Sequence, residues 1–511
     1  MIWILLLVLT TSAVGSTFRS VCYYTNWSQY RPGRGKYVPE NVDPTLCTHL
    51  IYAFAKPDNA TIHPFEWNDD STEWSKGMYE RAIDLKQRNP TLKVLLAVGG
   101  YNMASEPFTS FVGDPALRAK FVDNSITFLR SRKFDGLDMD WEYPGQRGSP
   151  PADKNNLLFL MQELWLAYRD EALRTGQPRL LLTGALPAGK ENIDAGYNIP
   201  ELVPYIDFIN VMTYDFHGSW ENHTGINSPL FAHPTDLDED AYLNMHWVSQ
   251  YYVSLGAPRH KLNIGVGLYG RSFRLVDPAV SGIRAPIVEG GEAGLYTRES
   301  GFLSYYEICD MINKGAQVYD VPSQRNKYLV KGDFWVGYDD VPSITEKACY
   351  IKQQGFGGIM FWAVDLDDFS GDSCGQGTYP LMRTALAELA NPSLASCPAV
   401  PGISLTTSQP TTTTLRPTTT TLRPTTTTIP PTTTTPPTTP STTPSTTPQE
   451  SGEFTCVGKP NDSYANPVAC DSFYICVDQV TYQAYCAMGL IYNAQIKACD
   501  DPAHTTCPLG H

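Results

Sequence analysis

Phe134-Asp-Gly-Leu-Asp-Met-Asp-Trp-Glu-Tyr-Pro144 is the stretch on which the reading of this chain turns. Asp135, Asp138, Asp140 and Glu142 fall within eight residues, interleaved with Leu137, Met139 and Trp141. Successive side chains of a strand point to opposite faces, so Asp138, Asp140 and Glu142 share one face and the apolar residues share the other. A solvated surface strand alternates in the same way. Here the apolar face holds Leu, Met and Trp, and Pro144 closes the run just past Glu142. That pattern suits a barrel strand whose inner face carries the acids and whose last residue reaches the carboxyl-end rim, where such barrels place their chemistry. Three carboxyls in steps of roughly 7 Å along one strand cannot all ionise cheaply. One of them should hold a proton, as a general acid must.

Outward from this stretch, short apolar runs recur between helix-length segments. They are Val21–Asn26, His49–Lys56, Lys93–Gly100, Gly136–Glu142, Leu180–Leu186, Phe208–Asp215, Lys261–Gly270 and Gly357–Asp365. Eight buried strands alternating with helices predict an α/β fold, a (β/α)8 TIM barrel. Leu157–Thr175, with Leu, Phe, Met, Trp and Tyr at helical spacing, exemplifies the helices. Residues 271–356 are too many for a plain connection between strands seven and eight and contain strand-like pieces such as Asp333–Tyr338. Residues 272–342 are read as a small α+β insertion walling one side of a cleft. Tyr23, Phe54, Glu142, Met212, Tyr214, Asp215, Tyr269 and Trp362 then come from strand ends on one rim. Taken singly, Met212 and Phe54 are better read as core; beside the acid cluster they read as part of a site.

Asp135-x-x-Asp138-x-Asp140-x-Glu142 resembles the signature of the family 18 glycoside hydrolases, the chitinases, and the resemblance extends over most of residues 21–390. It implies that Glu142 is the proton donor, that Asp140 and Asp138 serve it, and that Tyr214 and Asp215, in Met212-Thr-Tyr-Asp215, hydrogen-bond the N-acetyl group of the substrate. Trp362, in Met360-Phe-Trp-Ala-Val-Asp365, resembles the tryptophan that floors the sugar site where cleavage occurs. Tyr269-Gly-Arg271 resembles a motif for sugar and loop contacts. With Tyr23, Phe54, Gly99, Tyr101, Trp141, Met212 and Trp220 these complete the expected substrate contacts. His217, beside Trp220, is read as a loop residue rather than a ligand. The chain departs from the family at Gly99-Gly-Tyr101-Asn102, where relatives carry Trp in place of Tyr101, and at Thr45, where they carry Cys. The resemblance implies the disulfides Cys22–Cys47 and Cys309–Cys374; Cys349–Cys397 is carried as a hypothesis.

The compartment reads separately. Residues 2–9 are apolar and small residues precede Ser16, so residues 1–15 are expected to be a cleaved signal peptide and the protein to be secreted. Twelve cysteines agree with an oxidising compartment. Sequons at Asn59, Asn222 and Asn461 are open to glycosylation, whereas Asn26 falls inside an expected strand. A formal charge of −15 argues against nucleic acid and anionic membrane as partners. The 12% aromatic content suits a neutral sugar.

The 16–397 catalytic barrel is followed by a Thr/Pro-rich linker, residues 398–452, whose composition cannot bury a core. Residues 453–511 hold Cys456, Cys470, Cys476, Cys486, Cys499 and Cys507, with 13, 5, 9, 12 and 7 residues between them. This spacing resembles peritrophin-type chitin-binding domains, small disulfide-rich β units, and a domain so small needs its bridges. The spacing leaves the connectivity open; the resemblance implies Cys456–Cys476, Cys470–Cys507 and Cys486–Cys499. Tyr474, Tyr482, Tyr485 and Tyr492 are candidates for sugar stacking.

Together the resemblances imply a monomeric secreted chitinase acting on chitin and chito-oligosaccharides without metal or cofactor. A chitin-binding lectin is a competing reading, as is a structural matrix protein. Lectins of this kind typically lose the acid at the position of Glu142, which this chain keeps.

Overall fold

The computed structural model describes residues 18–395, 397–400 and most of 454–500. The expected signal peptide and all but the first three residues of the expected linker lie outside the described residues, as do Asn461 and Cys507. Contacts within the chain divide it into one unit ending at Gln409 and a second beginning at Pro410.

The first unit is a closed barrel. Its strands are β1 (Arg19–Thr25), β2 (His49–Asp58), β3 (Lys93–Gly99), β4 (Gly136–Asp140), β5 (Leu181–Leu186), β6 (Phe208–Val211), β7 (Leu262–Gly267) and β8 (Gly358–Trp362). All eight pair in parallel in chain order, and β1 pairs both β2 and β8, which closes the ring. These runs are mostly apolar because strands covered by helices outside and packed side chains inside have no solvent face, and polar residues within them such as Asp138, Thr183, Asn210 and Asn263 are buried. The helix Asp153–Thr175 shows how the outer layer is built. It buries Leu157, Leu160, Met161, Leu164 and Tyr168 along one stripe and stops at Gly176, whose φ of 70° suits a residue without Cβ.

The insertion is present and begins earlier than expected, at Tyr269 rather than 272. Its six antiparallel strands run from Tyr269–Leu275 to Phe334–Tyr338 and carry one helix, Tyr305–Asn313. Strand ends differ from expectation. β4 stops at Asp140, so Glu142 lies two residues beyond it; β6 stops at Val211, so Met212–Asp215 is a strand exit. Asn26 sits in a 3-10 turn (Asn26–Tyr30), not in a strand, and is buried with its amide on the Phe54 carbonyl.

Disulfides join Cys22–Cys47, Cys309–Cys374 and Cys349–Cys397. In the second unit Asp462–Ala465, Ser472–Val477 and Val480–Tyr485 form an antiparallel sheet, Ile491–Asn493 pairs with Ala498–Asp500, and Cys456 is bonded to Cys476. The bridge partners expected for Cys470 and Cys486 lie outside the described side chains. Tyr492 is buried and stacked on Phe473 at 4.5 Å, a core role, while Tyr474 stacks on Phe454 at 4.4 Å. The side chains of Tyr482 and Tyr485 are not among those described.

Candidate active site

The carboxyl ends of the strands converge on the acids. In register, Asp138 of β4 lies beside Ala97 of β3 and Thr183 of β5. Its carboxylate accepts from Tyr23 Oη at 2.6 Å on Oδ2, and from Thr183 Oγ1 at 2.5 Å and Asn210 Nδ2 at 3.4 Å on Oδ1. Burial pushes the Asp138 carboxyl up to about 6, against those donors, which favour the charge. Asp140, 2% exposed, is driven well above the carboxylate range by burial first, then by Glu142 and Asp138. Glu142 is the acidic neighbour that acts on it most, and its own Oδ1 has no hydrogen-bond partner. Glu142 is pushed up to about 7, chiefly by burial, with Tyr143 and the Arg147 guanidinium pulling the other way. Buried together, the three carboxyls all hold their protons more tightly than free acids do, which is what general-acid work demands.

Glycines let the neighbouring chain close on this cluster. A Cβ on Gly99 (φ +119°) would stand 2.1 Å from the Asp140 carbonyl oxygen, and one on Gly100 (φ +92°) 2.6 Å from the Phe54 ring.

Beside the acids lies an aromatic floor. Trp362, at the end of β8, is 5.4 Å from Tyr23, 5.9 Å from Phe54 and 6.2 Å from Trp27. Trp27 and Phe54 are themselves stacked at 6.0 Å, and Trp27 is 40% exposed. The turn carrying Trp27 is pinned by Arg31, whose guanidinium pairs with Asp365, and by Thr25 Oγ1 donating to the same carboxylate at 2.9 Å.

The exit of β6 delivers Tyr214 and Asp215. Tyr214 is buried, with its hydroxyl 3.7 Å from Met360 Sδ, a weak acceptor. Asp215 has φ +56°; its N–H donates to Asn227 Oδ1, and its Oδ1 accepts from Tyr269 Oη at 2.6 Å and Arg271 Nε at 2.7 Å. The Arg271 guanidinium lies 5.3 Å from the ring of Trp220, which is 59% exposed. Tyr101, 60% exposed, is covered on one face by Arg147 at 3.9 Å, and Arg147 also donates to the Glu142 carbonyl at 3.0 Å.

Comparison with known proteins now decides the family. The profile of Glycosyl hydrolases family 18 matches residues 19–367, and that of the Chitin binding Peritrophin-A domain matches residues 456–507. The chain belongs to glycosyl hydrolase family 18. Chitotriosidase-1 of Mus musculus is 38% identical over 95% of this chain and 96% of its own length. Endochitinase of Brugia malayi is 38% identical over 94% and 93%. Among solved structures, the immunomodulatory active chitinase of Trichuris suis superposes with a TM-score of 0.70 at 40% identity, covering 73% of this chain and all of its own. Human YKL-39, described as a pseudo-chitinase with retained chitooligosaccharide binding, gives 0.69 at 40% identity over the same shares.

In this family 18 chain two expected contacts lie elsewhere. Trp141 is 1% exposed and points out of the barrel. It stacks on Phe108 at 5.0 Å, donates to Ser105 Oγ, and lines a small apolar void with Met139, Leu157 and Met161. Strand alternation sends it there, away from the acids. Tyr23 is also 1% exposed and lies beneath Asp138, so it holds the acid rather than a sugar. Asp135 sits at the other end of β4, where it pairs with Lys86 and accepts from Val94 N–H. Thr183, Asn210, Trp27 and Arg147 escaped the sequence reading. The first two were legible as polar residues on otherwise apolar strands; Trp27 and Arg147 left no comparable signal. Cys349, Glu388 and Cys397 lie together, but the two sulfurs are bonded to each other and Glu388 pairs with Lys352, so no thiolate is offered to a metal. Among the described residues no helix is long and apolar enough to cross a membrane.

Proposed function

We propose that the chain is a secreted chitinase that hydrolyses β-1,4 linkages between N-acetylglucosamine units with retention, using the substrate's own acetamido group. The observation that carries this reading is the acid cluster: Glu142 is buried, its carboxyl raised to about 7, and it stands beside a buried Asp140 and a fully seated Asp138.

Glu142 protonates the glycosidic oxygen, and as its conjugate base then draws a proton from water. Ordinary retaining enzymes set a second carboxylate about 5 Å from the acid, facing it across the bond. Here the acids lie side by side along one strand end, so the acetamido oxygen of the sugar takes the nucleophile's part. Asp140, with Oδ1 unpaired, accepts from the acetamido N–H and stabilises the positive charge that develops on the ring it closes. Tyr214 donates to the acetamido oxygen and holds it in line. Asp138, which accepts from Tyr23 and Thr183, holds negative charge behind Asp140 and steadies it as it turns between Glu142 and substrate. Trp362, with Phe54 and Trp27, stacks against sugar faces. The domain matched at residues 456–507 holds insoluble chitin.

The likeness to YKL-39 favours one competitor, a chitin-binding lectin. Hydrolysis of a soluble chito-oligosaccharide by the wild type beside Glu142→Gln separates them. Activity in the wild type and a fall on the order of 10² to 10⁴-fold in the variant, with binding retained, is the expected result. Binding without cutting in both makes the protein a lectin.

A further inference from the structure

Asp138 is the end of a longer line of side chains. On the far side of the barrel core Arg19, at the start of β1, donates from Nε to Asn263 Oδ1 at 2.9 Å. Asn263 Nδ2 donates to Asn210 Oδ1 at 3.0 Å, and Asn210 Nδ2 to Tyr23 Oη at 3.1 Å and Asp138 Oδ1 at 3.4 Å. Tyr23 Oη in turn donates to Asp138 Oδ2 at 2.6 Å. Both asparagines are fully buried and Tyr23 is 1% exposed.

We propose that Arg19, Asn263 and Asn210 form a one-way hydrogen-bond chain that keeps Asp138 the ionised member of the acid cluster, and so places the acidic limb of the pH–rate profile. A guanidinium can only donate, so Asn263 must turn its oxygen to Arg19 and its NH2 onward. That forces Asn210 to accept from Asn263 and to aim its own NH2 at Tyr23 and Asp138. Every link points from the cation to the carboxylate, and chains of this kind polarise their members. Proton uptake by Asp138 would oppose all of them.

The backbone makes room for the line. Gly358 of β8 pairs with both Arg19 and Asn263, so Arg19 crosses over a residue with no side chain. A Cβ on Gly357 would stand 1.9 Å from Arg19 Nη2, and one on Gly358 2.8 Å from Arg19 Cβ. Arg19 is further seated by the His260 carbonyl and by the Phe208 ring at 5.0 Å. Burial lowers its guanidinium to about 10, which leaves it a cation at neutral pH. The ionisable groups around that end are Asp207, Lys261 and His49, the last neutral because burial lowers it to about 4. At the other end they are Tyr23, Asp140, Glu142 and Tyr214.

Asn263→Asp tests the polarity without changing shape. An aspartate there can only accept, so Asn210 must reverse and turn its oxygen to Tyr23 and Asp138. The acidic limb of kcat/KM should move towards neutral by about one pH unit. Arg19→Met should move it the same way by less, and Arg19→Lys should restore it. A role in folding alone predicts lower thermal midpoints with the limb unmoved, and that result overturns the proposal. Should Asn263→Asp not fold, the two Arg19 variants decide.

The inference rests on the hydrolytic reading, and wild-type activity tests that reading first. If the wild type does not cut, the carboxyl carbon resonance of Asp138 in the full chain is titrated by 13C NMR, assigned by its loss in Asp138→Asn. An Asp138 pKa raised in Asn263→Asp and Arg19→Met upholds the chain, and an unchanged one overturns it.

Discussion

Glu142 bears a cost that can be measured without substrate. Its carboxyl titrates near 4.3 in an unfolded chain and is raised to about 7 in the fold, so the native state binds that proton more tightly. The contribution of Glu142 to stability is most favourable below about pH 4 and declines as pH rises through 7, where the buried group must ionise. Glu142→Gln cannot ionise and escapes that decline. The variant should melt with the wild type at pH 4 and above it at pH 8, by about 1–3 °C given the size of the unit. Differential scanning calorimetry at the two pH values reads this directly, and a difference of equal size at both would show that packing, not ionisation, separates the two proteins. Such a trade is common where buried acids are kept for chemistry.

At the scale of elements, the meeting of β3 and β4 is the tightest constraint on the site. Gly99→Ala would drive a Cβ to 2.1 Å from the Asp140 carbonyl in a backbone region that L-residues avoid. The variant should lose about 1–3 kcal/mol of stability, with activity falling further than stability alone requires, because β4 cannot move without carrying Asp140 along. Urea unfolding monitored beside kcat separates the two effects. The turn Asn26–Tyr30 gives a second test. Trp27→Ala should raise KM for longer oligomers several-fold while leaving kcat on short ones near wild type, since Trp27 touches the floor and not the acids.

These same elements show what the sequence could disclose. The eight strands were legible because a doubly covered strand is mostly apolar, and the acids of β4 stood out against that background. The strand ends were overshot for a physical reason. Apolar alternation runs on past Asp140 and Val211, but pairing stops there: Asp215 turns to φ +56° and bonds Asn227 instead of a neighbouring strand. Trp141 was legible as well: alternation already puts it on the face away from the acids, and the expectation of a sugar contact there ran against that pattern. Trp27 was hidden because its position depends on Arg31 meeting Asp365, more than 300 residues away. Local pattern does not encode such a contact.

For the molecule as a whole, the chain joins two matched units, the barrel at residues 19–367 and the small β unit at 456–507, and the proposed function puts both on one polymer. If the second holds insoluble chitin, the barrel meets cleavable chains at an effective concentration set by the tether rather than by bulk enzyme. That advantage exists only for a substrate large enough to engage both units. A chito-oligosaccharide that fills the barrel cleft alone gains nothing from it. Deleting residues 398–511 should therefore lower the rate on crystalline chitin about tenfold or more at dilute enzyme, and leave kcat/KM on a soluble tetramer unchanged. Raising the enzyme concentration should narrow the gap, because bulk encounters then replace tethered ones. Release of soluble sugar from the two substrates across a concentration series measures all three. Equal losses on both would mean that the second unit supports the fold of the barrel, and a gap that persists at high enzyme would mean that it alters the chitin surface rather than holding the enzyme to it.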